Sequence, residues 1–481
     1  MKHCKQHWML NTPIFRLIMS SSLPIMPAVF LIVAYDLLET GLIARLCANH
    51  LAALSFSAPV TTGMTGIAIA ISIATNNWIC RIKSDVNQNS CSEEKQALNQ
   101  NVLRAIVIAT SLTLALSVAL YLLSPTLYQL IGTKTGAQPT IELGMSSLVI
   151  EYTNIRLLGW IALVLIWQIN GILRSYGYIK QASIILISWM LSKMVLSYFL
   201  IGNGECSQFS ISGIIGAGYA HIIADTVFVI ISFAVLFNDL GIQKQKLPVI
   251  YWKKTVEHMS VTGINATLQQ LFLPLAIGLL TFYMTTLDED KVALLSIIFR
   301  VEALGVFVPM VFTASLPGLI AANWWAGHID RVKKLILQGF LIIASVQSLI
   351  ALVLYFYAQS IAAEITQSDS LQPFIEQYLV YVPISFIGAG CSMLALSCLN
   401  AIGKSSDAST LGFAHKVLLT LSFAVIGGEV ASITGVFIGI ALAHLVSILL
   451  VLKYLSKSIW RGKIHMPPTI CSFASGSSVA K

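Results

Sequence analysis

Long apolar runs separated by short polar breaks fill this chain, and few folds accommodate that pattern. About twenty apolar residues in a helix cross a bilayer core of about 30 Å. Backbone facing lipid must satisfy its own polar groups, so such runs become helices. The runs fall at 17–44, 51–80, 103–131, 143–172, 181–202, 212–237, 259–287, 292–321, 336–363, 375–401, 408–428 and 431–455. Only 10% of the residues are charged, against about 25% in soluble domains, and the mean hydropathy is +0.81. The expected fold class is an all-α integral membrane protein with about twelve transmembrane helices.

The Lys and Arg residues set the orientation. One set of breaks holds Arg81, Lys83, Lys95, Arg104, Arg174, Lys180, Lys244, Lys246, Lys253, Lys254, Arg331, Lys333, Lys334 and Lys404, and basic residues flank both ends of the chain. The alternating breaks hold only Arg45, Lys134 and Lys291, with Glu205, Asp288, Glu289, Asp290 and Asp369 among them. Both termini are therefore expected on the cytoplasmic side of the plasma (inner) membrane. The net charge of +8 belongs to those loops and implies no nucleic-acid partner. The first residues, MKHCKQHWMLNTP, lack a short apolar run with a cleavage site, so the first span reads as an uncleaved insertion signal.

The break near 238–258 divides the chain into a lobe at 1–240 and a lobe at 241–460, followed by a polar cytoplasmic tail at 461–481. HLAALSFSAPV (50–60) aligns with KVALLSIIFRV (291–301), and the same offset sets SIAT (72–75) on TASL (313–316). Two six-helix repeats related by an axis along the membrane normal would place a binding site between them, near the midplane. Pro24 and Pro27 should bend the first span, since each lacks an N–H and crowds the turn before it.

Ionisable side chains inside spans are costly and mark functional positions. Asp36 and Glu39 lie three apart on neighbouring parts of one helix face and are the candidate ion-coupling groups. Lys193, in SWMLSKMVLSYF, lies too deep to reach the interface easily and needs a partner. The first-span carboxylates are candidates for that pairing. Glu151 and Arg156 could serve each other, interfacial water or transport. His221 and Asp225, four apart, read as a hydrogen-bonded packing pair. Arg300 and Glu302, two apart, point to different faces, and Lys416 has no assignable role.

Enzyme motifs are missing: no Walker loop, GxSxG, HExxH or dinucleotide fingerprint occurs. The eight cysteines form no CxxC pair and no zinc spacing, so no metal site or cofactor is expected. Any transport must draw on an ion gradient or on the substrate's own gradient.

The motifs resemble the multidrug and toxic compound extrusion (MATE) transporters. ETGLIARLCANHLAAL places Glu39 on that family's acidic position, with Thr40, Arg45 and Leu51-Ala52-Ala53 following. INGILRSYGYIKQA (169–182), FRVEALGVFVP, AANWWAGHIDRVKK and LNAIGKSSDAS (399–409) are similar to later segments in order and spacing. The resemblance covers about residues 15–455 and is nearest the prokaryotic branch typified by DNA-damage-inducible protein F.

That resemblance implies a V-shaped, two-lobed bundle. It implies a monomeric secondary antiporter exporting small organic, cationic or amphipathic compounds in exchange for H⁺ or Na⁺. Asp36 and Glu39 would carry the ion, and Asn170, Lys193, Gln269 and Gln270 would contact substrate. The chain departs from the pattern at Lys193 and Ser197, which replace an Asn and an Asp of the fifth span. Gln269 and Gln270 stand where some Na⁺-coupled members carry a carboxylate. The alternative is a flippase for a lipid-linked precursor of the same superfamily, which predicts a more basic cavity.

Overall fold

The computed structural model describes residues 9–44, 48–87, 92–134, 143–202, 213–240, 252–287, 292–365 and 371–460. Cys91, Cys206 and the tail at 461–481 lie outside the described residues. Among the described residues every regular element is helical. The first are α1 (Ile14–Ser22), α2 (Met26–Ala44), α3 (Ala48–Asn87), α4 (Ser92–Lys134), α5 (Leu143–Ser175), α6 (Ile179–Ile201), α7 (Ile214–Leu240) and α8 (Trp252–Leu287). Then come α9 (Val292–Gly305), α10 (Phe307–Trp325), α11 (Ile329–Phe356), α12 (Ala358–Ile365), α13 (Gln372–Tyr381), α14 (Phe386–Ala401), α15 (Ser405–Phe413) and α16 (Thr420–Leu455). Eleven of the described helical segments are long and apolar enough to cross a membrane. The last, Ser405–Trp460, is 56 residues long and turns at Ala431 and Ser432, where Ser432 takes φ 51°. Divided there, it supplies the two final spans read from the sequence.

Proline shapes two spans. The helix breaks at Leu23–Ile25, around Pro24, where the sequence places a bend. The eighth run, expected as one span at 292–321, is interrupted between α9 and α10. Pro309 lies four residues after Gly305 and cannot donate to its carbonyl. That carbonyl instead accepts from Gln347 Nε2 at 3.1 Å.

The chain forms two compact units. One comprises Phe30–Ile79 and Asn89–Gly263; the other comprises Met1–Val29, Cys80–Gln88 and Ile264–Lys481. In the first unit α5 is the central helix: 78% of its membrane window is buried, against 17% for that of α4. Two glycines let α5 and α7 meet closely. A Cβ on Gly159 would lie 2.9 Å from Ile222 Cγ1, and one on Gly218 would lie 2.9 Å from Ile155 Cγ2. Leu148, Tyr152, Ile155, Ile214 and Ala217 fill the space between them.

In the second unit the segment Gln372–Ala401, which ends in α14, holds the corresponding place, with 72% of its membrane window buried. Gly388 packs directly on the backbone of His444 in α16. The leading segment is fixed within this same unit. Asn323 Nδ2 donates to Met9 O at 3.3 Å, Arg331 Nη2 donates to Thr12 O at 2.8 Å, and Ser22 bonds Ser315 at 2.8 Å.

Three helix pairs close with one backbone turn. After α5, Gly177 at φ 86° lets Tyr178 N bond Leu173 O at 2.9 Å. After α10, Gly327 at φ 80° lets His328 N bond Asn323 O at 2.9 Å. After α14, Gly403 at φ 81° lets Lys404 N bond Leu399 O at 2.9 Å. Each is a left-handed C-terminal cap that satisfies orphan carbonyls. They explain the recurrence of glycine in SYGYIK, WAGHID and AIGKSS.

Candidate functional site

A cavity of ≈ 230 Å³ lies within the first unit, walled by α2, α3, α5, α6 and α7. Asp36 opens into it from α2, whereas Glu39, one turn on, is 8% exposed. Thr61, Thr62 and Thr65 of α3 add hydroxyls, and Trp167 and Trp189 supply aromatic wall. The two indoles meet edge to face at 6.3 Å between centroids.

Glu39 sits in a hydrogen-bonded cluster. Tyr35, one helical turn before it, donates to Glu39 Oε1 at 3.0 Å. His221 Nε2 from α7 lies 2.9 Å from the same oxygen and 3.1 Å from Tyr35 Oη. Ser197 Oγ from α6 lies 2.9 Å from Tyr35 Oη. His221 Nδ1 is buried with no hydrogen-bond partner in the structure. The ring therefore suits the tautomer that carries its proton on Nε2 and donates to an ionised Glu39. When Glu39 is protonated, its hydroxyl can donate to Tyr35 Oη, which turns its own hydrogen toward Ser197. The cluster accommodates both protonation states without rearranging heavy atoms.

Lys193 has a different partner from those considered above. Its Nζ lies 2.9 Å from Asp225 Oδ1 on α7, with both side chains 4% exposed. Trp189 Nε1 donates to the same oxygen at 2.8 Å, and Lys193 Nζ stands 4.2 Å from the Trp189 ring centroid. Asp225 thus pairs with Lys193, and His221 pairs with Glu39, so the expected His221–Asp225 hydrogen bond does not form. One helical turn aligns the two side chains, but each reaches across to a different neighbouring helix. Arg156 separates from Glu151 in the same way. Glu151 is exposed, whereas Arg156 is 8% exposed, lines the cavity and has a buried Nη1 without a hydrogen-bond partner. Arg156 acts electrostatically on Glu39, Asp36 and Asp225.

The other candidate residues lie elsewhere. Asn170 is buried and ties α5 to α6 through Nδ2 and Ala182 O at 2.7 Å. Gln269 and Gln270 belong to the second unit. Gln269 exchanges amide hydrogen bonds with Asn400, at 2.9 and 3.3 Å. Glu302 and Lys416, also in that unit, interact electrostatically. The sequence reading passed over Tyr35 and Trp189, and noted Ser197 as a departure from the family pattern without giving it a partner. Their signal was spacing: Tyr35 to Glu39, and Trp189 to Lys193 to Ser197, each step one helical turn of four residues.

The MatE family model matches residues 24–199 and 266–426. The chain belongs to the MatE family. MatE proteins are membrane transporters and not enzymes, which agrees with the lack of enzyme motifs. The fold matches a solved point mutant of the Vibrio cholerae MATE transporter VcmN, with a TM-score of 0.84 and 23% identity over 93% of this chain and 97% of that one. It also matches a MOP superfamily transporter from Pyrococcus furiosus, described as having a binding pocket of reversed polarity. That match has a TM-score of 0.81 and 19% identity over 95% of this chain and 98% of that one. A MatE relative from Shewanella oneidensis, named FAD transporter, is 24% identical over 92% of this chain and 94% of its own length.

Proposed function

We propose that this MatE member is a secondary antiporter that moves small organic compounds outward across the inner membrane in exchange for H⁺ or Na⁺. The observation that carries the reading is the hydrogen-bonded Glu39 beside a cavity into which Asp36 opens. Glu39 is the coupling group, because Tyr35, His221 and Ser197 accept either of its protonation states. Asp36 is the charge a cationic substrate meets. Substrate and coupling ion compete for the same negative charge, which links the two equilibria. Lys193, paired with Asp225 and stacked on Trp189, shapes the substrate wall, while Asn170 ties α5 to α6 and Gln269 is held by Asn400.

A second reading concerns the cargo. The relative named FAD transporter, the two indoles and the buried Arg156 favour a planar compound bearing negative charge. The experiment is uptake into proteoliposomes of ethidium, as a planar cation, and of FAD, under imposed pH or Na⁺ gradients. Gradient-driven accumulation of one of them, lost in Glu39→Gln and reduced in Asp36→Asn, supports the antiport reading. Undiminished accumulation in both variants, at equal protein density, refutes the role of these carboxylates. The orientation, with both termini cytoplasmic, is tested by impermeant thiol labelling of intact cells. Cys206 should react and Cys91 should not.

A further inference from the structure

We propose that Arg156 is a tethered cation that takes the place of a sodium ion beside Glu39, so that this cavity exchanges a single proton and does not bind Na⁺. The inference rests on the reading of Glu39 as the coupling group, and it names the ion.

The first argument is the charge balance. The ionisable groups that line the cavity or bond to its lining are Asp36 and Glu39 of α2, Arg156 of α5, Lys193 of α6, and Asp225 of α7. Tyr35 of α2, Tyr152 of α5 and His221 of α7 complete the titratable set around Glu39. Lys193 and Asp225 cancel each other at 2.9 Å. Arg156 offsets one of the two remaining carboxylates and leaves a single negative charge. A largely buried site settles at low net charge, because an unpaired ion there loses its hydration without return. One monovalent cation, and no second one, completes the balance.

The surroundings of Glu39 favour a proton as that cation. A hard metal cation needs a shell of oxygen ligands. The ionised Glu39 Oε1 is already taken by hydrogen bonds, from the Tyr35 hydroxyl at 3.0 Å and, in the tautomer argued above, from His221 Nε2 at 2.9 Å. Arg156 adds a full positive charge, and its buried Nη1 has no hydrogen-bond partner of its own. A guanidinium cannot lose its proton under transport conditions, so it repels a sodium ion at every stage of the cycle. A proton held in the Glu39–Tyr35–Ser197 chain meets no such obstacle, because it needs only an acceptor.

The test is equilibrium binding of radioactive sodium to the purified full-length protein, with no transported compound present. The wild type and Glu39→Gln should bind none specifically. Arg156→Gln removes the tethered charge and should raise sodium affinity at least about tenfold, with the bound sodium displaced by acid. Arg156→Lys keeps the charge and should continue to exclude sodium. Specific sodium binding by the wild type that disappears in Glu39→Gln would overturn the proposal. So would a folded, monodisperse Arg156→Gln protein that binds no more sodium than the wild type. Should Arg156→Gln not fold, the comparison of wild type with Glu39→Gln still decides. Failure of the coupling reading shows itself separately, as normal gradient-driven uptake by Glu39→Gln.

Discussion

Lys193 and Asp225 give the sharpest energetic forecast. Lys193→Met leaves Asp225, 3% exposed, holding a buried charge with Trp189 Nε1 still donating to it. Breaking a buried pair from one side costs about 3–5 kcal/mol. A hydrogen bond to a charged group recovers about 1.5 kcal/mol or more, so the Trp189 donor sets the expectation at the lower end, about 3 kcal/mol. Asp225→Leu strands the ammonium against the indole face, at a similar cost. The double variant removes both charges and leaves the Trp189 N–H without its acceptor, about 1–3 kcal/mol. The singles therefore sum to about 6 kcal/mol or more, and the double should fall short of that sum by about 3 kcal/mol, a factor of about a hundred in the folding equilibrium. The assay is a double-mutant cycle on the folding stability of the detergent-solubilised protein, with folded protein counted by size exclusion. Additive single effects would show that the pair is not coupled and would refute the reasoning. The partner sought among the first-span carboxylates is instead Asp225, which reaches Lys193 Nζ from α7 at 2.9 Å.

His50, outside the membrane-spanning segments, accepts from Ile214 N through Nδ1 at 3.2 Å, and burial lowers its pKa below the ordinary 6.5. A depressed folded value means that stability is fully present above 6.5 and is lost as pH falls toward the folded value. Thermal stability should thus drop on acidification below about pH 6.5, and His50→Asn should flatten that part of the profile; an unchanged profile would remove His50 from the account. Gly388 leaves no room for a methyl group against the His444 backbone, so Gly388→Ala should cost about 1–3 kcal/mol. Normal folded yield for Gly388→Ala on size exclusion would show that α14 and α16 can separate freely.

Much of the fold was legible because a bilayer allows so few solutions. Apolar run length alone located the spans, and Pro24 located the break in the first. The eighth run looked continuous because Pro309 sits inside an apolar stretch. Its effect depends on Gln347, on another helix, taking the Gly305 carbonyl. The site was legible one residue at a time. Asp36, Glu39 and Lys193 stood out by the cost of their charges in a membrane, and all three line one cavity. Their partners were hidden. Spacing says which side chains share a helix face, but the neighbouring helix is chosen by packing, here by Gly159 and Gly218 drawing α7 against α5. His221 and Asp225 share a face, yet one meets Glu39 and the other Lys193. Gln269 attracted attention by its position in a pattern, whereas the structure occupies its amide with Asn400.

The three glycine turns bear on the mechanics of the chain. A helix joined to the next by a turn with its backbone hydrogen bonds already made cannot swing freely at that joint, since swinging would expose polar backbone. The pairs α5–α6, α10–α11 and α14–α15 therefore behave as stiff staples rather than as six separate rods. A push on Asp225 through Lys193 arrives at α6 and, around Gly177, at α5 as well. Fewer parts are then free to move than there are helices, and compliance concentrates at the prolines and at Ser432, where the ladder is already open.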